Sequence, residues 1–320
     1  MQAILAITLP FFALVLAGWL AARQHVLPES AIPGLNAFVL YFALPCLLFR
    51  FGLSTPISEL LNPLVIVLYL GVALALVAFT IAVTLSPVVG LKDASFGALV
   101  AAFPNAGFMG VPLLTAMLGP TAAGPLICCI LVDIFFTSSL CVALAEAGAG
   151  TGGMRAAARR ALRGTALNPL PWAIALGAML GTLAWPLPGP VDAVVRMLAD
   201  AATPVALFTI GAVLFRAGQH AHTRTPVARY LPVALIKLLL HPALVAAAGL
   251  SARALGAPLS NPQLTVMLLC AALPSAANVS LLAERYQADN GRIARIILTS
   301  TLLAFATFTT LAWLLIPGPA

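Results

Sequence analysis

The chain has 320 residues, 62% of them hydrophobic and only 8% charged, with a formal net charge of +7. A soluble domain is about a quarter charged, and so few charges could not cover a water-facing surface of this size. The composition excludes a soluble enzyme, a nucleic-acid-binding protein and a disordered chain, and it turns the basic excess into a question of bilayer sidedness.

A helix crossing the hydrocarbon core needs about 20 apolar residues. Ten stretches qualify: 3–22, 34–52, 62–86, 94–118, 122–146, 168–185, 192–215, 231–252, 262–285 and 292–316. The first has no basic residue before it and no small-residue cleavage site after it, so it reads as a mature helix and not a signal peptide. The longest connections are 147–167, rich in Gly and Arg, and 216–230, which holds Gln219, His220, His222, Arg224 and Arg229. The expected fold is an all-α polytopic membrane protein of ten transmembrane helices with no separate soluble domain. Cys46, Cys128, Cys129, Cys141 and Cys270 lie in apolar runs without metal-ligand company and read as small core residues. No cofactor is expected.

Alternate connections share one side of the bilayer. One side collects Arg23, Lys92, Arg155, Arg159, Arg160, Arg163, Arg216, Arg224, Arg229, Arg285, Arg292 and Arg295, and the other has Arg50, Arg196 and Arg253. Basic residues stay in the cytoplasm, so both termini are expected outside it.

Cut near residue 160, the halves 1–160 and 161–320 resemble each other. Leu44-Pro45-Cys46-Leu47-Leu48-Phe49 in span 2 matches Thr203-Pro204-Val205-Ala206-Leu207-Phe208 in span 7. Ala101-Ala102-Phe103-Pro104-Asn105 in span 4 matches Ala271-Ala272-Leu273-Pro274-Ser275 in span 9. Five spans per half is odd, so the second half enters the membrane inverted, as in secondary transporters. A proline within a helix removes an N–H and frees a carbonyl. Pro45 and Pro204 alone are compatible with simple kinks. Pro104, Gly107, Gly110 and Pro112 together make a continuous helix through span 4 unlikely to form, and span 9 has Pro274, Ser275 and Asn278. Broken helices that meet near the midplane present bare N–H groups and positive dipole ends, which suit an anion.

Leu44-Pro45, Phe103-Pro104-Asn105 through Gly110-Val111-Pro112-Leu113-Leu114, Thr203-Pro204 through Gly211, and Leu273-Pro274-Ser275 through Ala283-Glu284-Arg285-Tyr286 resemble the auxin efflux carrier family along essentially the whole chain. That family includes plant auxin exporters and bacterial permeases described as malonate or dicarboxylate transporters. The resemblance implies a fold shared with bile-acid sodium symporters. Spans 1, 2, 6 and 7 would form a scaffold, and spans 3–5 and 8–10 a mobile elevator-like transport unit in which spans 4 and 9 cross. It implies a substrate carboxylate beside Pro104 and Asn105, and a homodimer. Asn278 departs from the pattern, standing four residues after Pro274.

The substrate-binding candidates are therefore Pro104, Asn105, Gly107, Pro274, Ser275 and Asn278. Asp133, in the middle of span 5, is the sharpest polar residue, because an ionisable group at mid-bilayer costs about 2.5–3.5 kcal/mol and usually marks function. With Thr137, and with Ser138 and Ser139 nearby, it could coordinate Na⁺ or take up H⁺; it could also be a structural acid paired with Lys237. Ser300 and Thr301 in span 10 lie at a matching depth, where they either serve the same ion or hydrogen-bond between helices. Lys237 and His241 share a helix face: they either snorkel to the interface or supply a counter-charge. Asp200 and Glu284-Arg285 read as interfacial. Gly177 and Gly181 permit close helix packing.

The leading function is a carrier of a small organic anion, malonate-like or auxin-like, working by alternating access in the bacterial inner membrane. The alternatives are a sodium-coupled symporter of larger amphipathic anions, a channel, and an intramembrane enzyme. The last has no support from catalytic signatures: there is no metalloprotease His pair, paired Asp or Ser/Lys dyad.

Overall fold

A computed structural model describes residues 2–148, 159, 166–220 and 225–316. The expectations placed on Arg155, Arg160, Arg163, His222, Arg224 and the C-terminal end lie outside these residues. Among the described residues, besides the single turn Ile57–Leu60, the helical pieces are α1 (Gln2–Arg23), α2 (Glu29–Ser54), α3 (Pro63–Thr84), α4 (Leu91–Ala102), α5 (Ala106–Leu118), α6 (Pro120–Gly148), α7 (Pro169–Thr182), α8 (Gly189–His220), α9 (Val227–Ala254), α10 (Asn261–Ala272), α11 (Val279–Arg285) and α12 (Asn290–Leu315). Seven helical segments, those of α1, α2, α3, α6, α8, α9 and α12, are long and apolar enough to cross a membrane. Among the described residues no strand forms beyond one isolated bridge. Large apolar side chains such as Leu9, Leu16, Val67, Trp172 and Leu302 stand exposed on the outside, as a lipid solvent permits.

Helix starts are fixed by their sequence. Asn62 accepts from the N–H groups of Leu64 and Val65 ahead of Pro63, and Asn168 accepts from Leu170 ahead of Pro169. Ser260 and Gln263 form a reciprocal capping box on α10. Each satisfies N–H groups that a first turn leaves bare.

Two helix pairs touch backbone to backbone. A methyl on Gly18 of α1 would collide with the Phe208 carbonyl of α8, and one on Gly211 with the Val15 carbonyl. Gly177 of α7 meets the Phe49 carbonyl of α2, Gly181 meets Leu53, and Gly52 meets Ile174 in return. The small-residue pair of span 6 is thus used inside the chain.

Among the described residues there are four wide π-turns: Val39–Ala43, Asp133–Thr137 and Ile236–Leu240 interrupt α-helical segments, and Ala106–Gly110 opens α5. Three of them end two residues before a proline, at Pro45, Pro112 and Pro242. Proline clashes with the carbonyl one turn back, and a widened turn relieves it. The turn at Asp133 has no such proline. Pro204, by contrast, sits inside one continuous helix, α8.

At the basic end, Arg292 is almost fully buried. It donates to the carbonyls of Arg229 (2.9 Å) and Asp93 (3.0 Å), against Gly97, whose missing side chain leaves room for the guanidinium. Lys92 Nζ donates to the Gln287 carbonyl at 2.6 Å, and Asp93 Oδ1 accepts from the Asp289 N–H at 2.8 Å. These bonds tie the starts of α4, α9 and α12 together.

Candidate functional site

Spans 4 and 9 are each two helices. Residues 103–105 separate α4 from α5, and residues 273–278 separate α10 from α11. The two extended gaps pair with each other as an antiparallel bridge between Pro104 and Ser275. Asn105 N–H donates to the Pro274 carbonyl at 2.8 Å, and Ala276 N–H donates to the Phe103 carbonyl at 3.1 Å. Each break thereby satisfies backbone groups of the other, which a low-dielectric surrounding demands. A methyl on Gly110 would meet the end of the Leu273 side chain, which packs over the missing side chain.

A cavity of about 830 Å³ lies against this crossing. Pro104, Asn105, Gly107 and Asn278 line it from the crossing, and Asp133, Ser138 and Ser139 line it from α6. Asn36 and Tyr41 of α2 and Asn168 before α7 also line it, as do Arg285 and Tyr286 at the end of α11. Asn105 is only 3% exposed, and among the described residues its side-chain amide has no hydrogen-bond partner. It precedes α5, whose first-turn N–H groups at Gly107 and Phe108 have no acceptor within the helix. An amide donor and a positive helix end therefore face the same space.

Pro274 and Ser275 sit behind the crossing. Ser275 Oγ donates to the Val100 carbonyl at 2.7 Å, and its N–H donates to Ser300 Oγ at 3.2 Å. Thr301 Oγ1 donates within its own helix to Ile297. Lys237 is 0% exposed and does not snorkel. Its Nζ donates to the Ala271 carbonyl at 2.8 Å and lies 2.9 Å from His241 Nδ1. The ammonium thus sits at the C-terminal, negative end of α10. Tyr69 completes this buried group, its ring 5.8 Å from that of His241 and its hydroxyl 3.9 Å from Cys270 Sγ.

Asp133 is 1% exposed. Thr137 Oγ1 donates to its Oδ1 at 3.2 Å, while Oδ2 has no partner among the described residues. It makes no ion pair with Lys237 among those residues.

The family described as membrane transport protein matches residues 3–314. The chain belongs to this family. It is 32% identical over 321 residues to a protein of Rhizobium meliloti (strain 1021) named "Putative malonate transporter", covering 99% of this chain and 98% of the other. It is 25% identical over 370 residues to auxin efflux carrier component 8 of Arabidopsis thaliana, covering 97% and 96%. A transporter of Escherichia coli (strain K12), YfdV, is 24% identical over 296 residues, covering 87% of each chain. The molecule is a multi-pass membrane transporter of the auxin efflux carrier family.

For a transporter of this family, the sequence reading missed several polar residues. Asn36, Tyr41 and Asn168 line the cavity, yet they stand near span ends, where polar residues are ordinary. Cys270 reads as a small core residue and, with Tyr69, extends the buried group around Lys237. Arg285 read as interfacial and lines the cavity. The one usable signal was Tyr69, a hydroxyl in the middle of a long apolar run.

Proposed function

We propose that the chain is a secondary carrier that moves a small carboxylate across the bacterial inner membrane by alternating access. The single observation behind this is the crossing of two broken helices, with Asn105 and the bare first turn of α5 turned into a cavity. The name of the Rhizobium relative supports a malonate-like substrate.

The architecture that goes with this reading is ten membrane segments in two inverted halves, 1–160 and 161–320. The glycine-mated pairs α1/α8 and α2/α7 are the scaffold. The pieces α3–α6 and α9–α12 are the moving unit, and the cavity between α2 and the crossing is the substrate space. The arginine distribution supports a cytoplasmic basic side and both termini outside. Arg285 and Asn168 belong to that side, so this conformation is inward-facing.

Coupling runs through Asp133. Its unpartnered oxygen beside Thr137 and the cavity suits either a proton or Na⁺. Lys237 and His241 act as an internal counter-charge at the end of α10.

Uptake into proteoliposomes tests the reading, with radiolabelled mono- and dicarboxylates, a bile-acid-sized anion, and imposed Na⁺ or H⁺ gradients. Saturable uptake of small carboxylates is expected. Uptake of the large anion alone would replace this reading with a sodium-coupled symporter of amphipathic anions. A cysteine beside Arg159 should label from the cytoplasm only, and one at the C-terminal end from outside only.

A further inference from the structure

We propose that Arg285 receives a second carboxylate, so that the cavity selects dicarboxylates over monocarboxylates of the same size. The inference rests on the carboxylate reading above and deepens it. Among the described residues, Arg285 is the one cation that lines the cavity, and it forms no ion pair or hydrogen bond there. The other charged group lining it, Asp133, lies against the crossing and repels an anion unless it binds a proton or a cation. A dianion therefore finds its second favourable charge only toward Arg285.

The geometry suits a short linker between the two carboxylates. Asn278 immediately precedes α11 at the crossing, and Arg285 ends the same helix. At about 1.5 Å of rise per residue these positions are about 10 Å apart along the axis. Helical side chains lean toward the N-terminus, which brings the long arginine back over its own helix toward the crossing. Three- to five-carbon dicarboxylates, whose carboxyl carbons are about 2.5–5 Å apart by bond lengths of about 1.5 Å, are the substrates this arrangement would take. One carboxylate meets Asn105 and the first turn of α5; the guanidinium takes the other with its two-pronged fork. A basic residue in a last turn also complements the helix dipole. Lysine would preserve that effect without the fork.

The experiment compares uptake of malonate and succinate with uptake of their half-amides, in which a neutral amide of equal size replaces one carboxylate. Wild type, Arg285→Gln, Arg285→Lys and Asn105→Ala are measured in proteoliposomes. Arg285→Gln should raise KM for the dicarboxylates about tenfold and leave the half-amides unchanged. Arg285→Lys should recover only part of the loss. Asn105→Ala should weaken both substrate types. Arg285→Gln acting equally on both, or on neither, overturns the assignment while the crossing remains the site. Wild type that carries half-amides but not dicarboxylates overturns it as well. Uptake of neither class by wild type brings down the carboxylate reading and this assignment together.

Discussion

The two helix breaks begin from nearly the same words, Ala-Ala-Phe-Pro-Asn and Ala-Ala-Leu-Pro-Ser, and end as different devices. The second is engaged by neighbouring helices except at its end, where Asn278 reaches the cavity. Ser275 is engaged at both its N–H and its hydroxyl, Lys237 holds the Ala271 carbonyl, and Ser300 supplies the remaining acceptor. The first leaves an amide and two N–H groups open to a cavity, with an acid beside them that has one oxygen unpartnered. One break is a strut and the other a receptor. The difference begins at a single position: Asn against Ser after the proline.

Four substitutions would break or sharpen that contrast, in falling order of effect. Asp133→Asn should abolish any response of uptake to an imposed gradient while substrate exchange persists, because an amide keeps the size but neither releases a proton nor offers a full charge to Na⁺. Gradient dependence of the wild type is measured first; if the variant keeps that dependence, coupling lies elsewhere. Lys237→Met, on the strut side, should lower stability by about 3 kcal/mol, since the Ala271 carbonyl and His241 lose a buried charged partner. Thermal melting in detergent reads this out, and an unchanged midpoint would remove Lys237 from the strut. Ser275→Ala should cost about 1–3 kcal/mol in the same assay by orphaning the Val100 carbonyl. Asn105→Ala should leave the melting midpoint nearly unmoved and weaken substrate binding by about 1 kcal/mol, roughly fivefold. A stability loss there matching that of Ser275→Ala would show both breaks to be struts.

Much of this was legible in the sequence. The apolar runs mark the long helices, and Pro104 with Asn105 marks the gap between α4 and α5, because proline and asparagine act locally on the backbone. Span 9 looked poorer in breakers than span 4, yet its gap is the longer one. What opens it is tertiary: Lys237 and Ser300 accommodate the freed groups from other helices, and no local pattern announces them. Lys237 was ambiguous for the same reason. Its distance from the span end allows snorkelling, and only the position of the Ala271 carbonyl decides that it turns inward. The candidates from the matched motif divide accordingly: Pro104, Asn105, Gly107 and Asn278 reach the cavity, while Pro274 and Ser275 stand behind it.

The widened turn at Asp133–Thr137 has a bearing on how such a chain can be edited. A π-turn amounts to one surplus residue threaded into an α-helix. Removing one residue within it, such as the exposed Phe136, would let α6 close into regular α-helix. Because the widened turn already absorbs the surplus residue, the segments on either side would keep their bearing, and only the spacing within the turn would change. Asp133 would keep its identity and its place in the chain while changing its bearing against the hydroxyls that follow. A deletion of one codon is thus a local re-aiming, and it separates the direction of this acid from its chemistry in a way that no substitution at the residue itself can do.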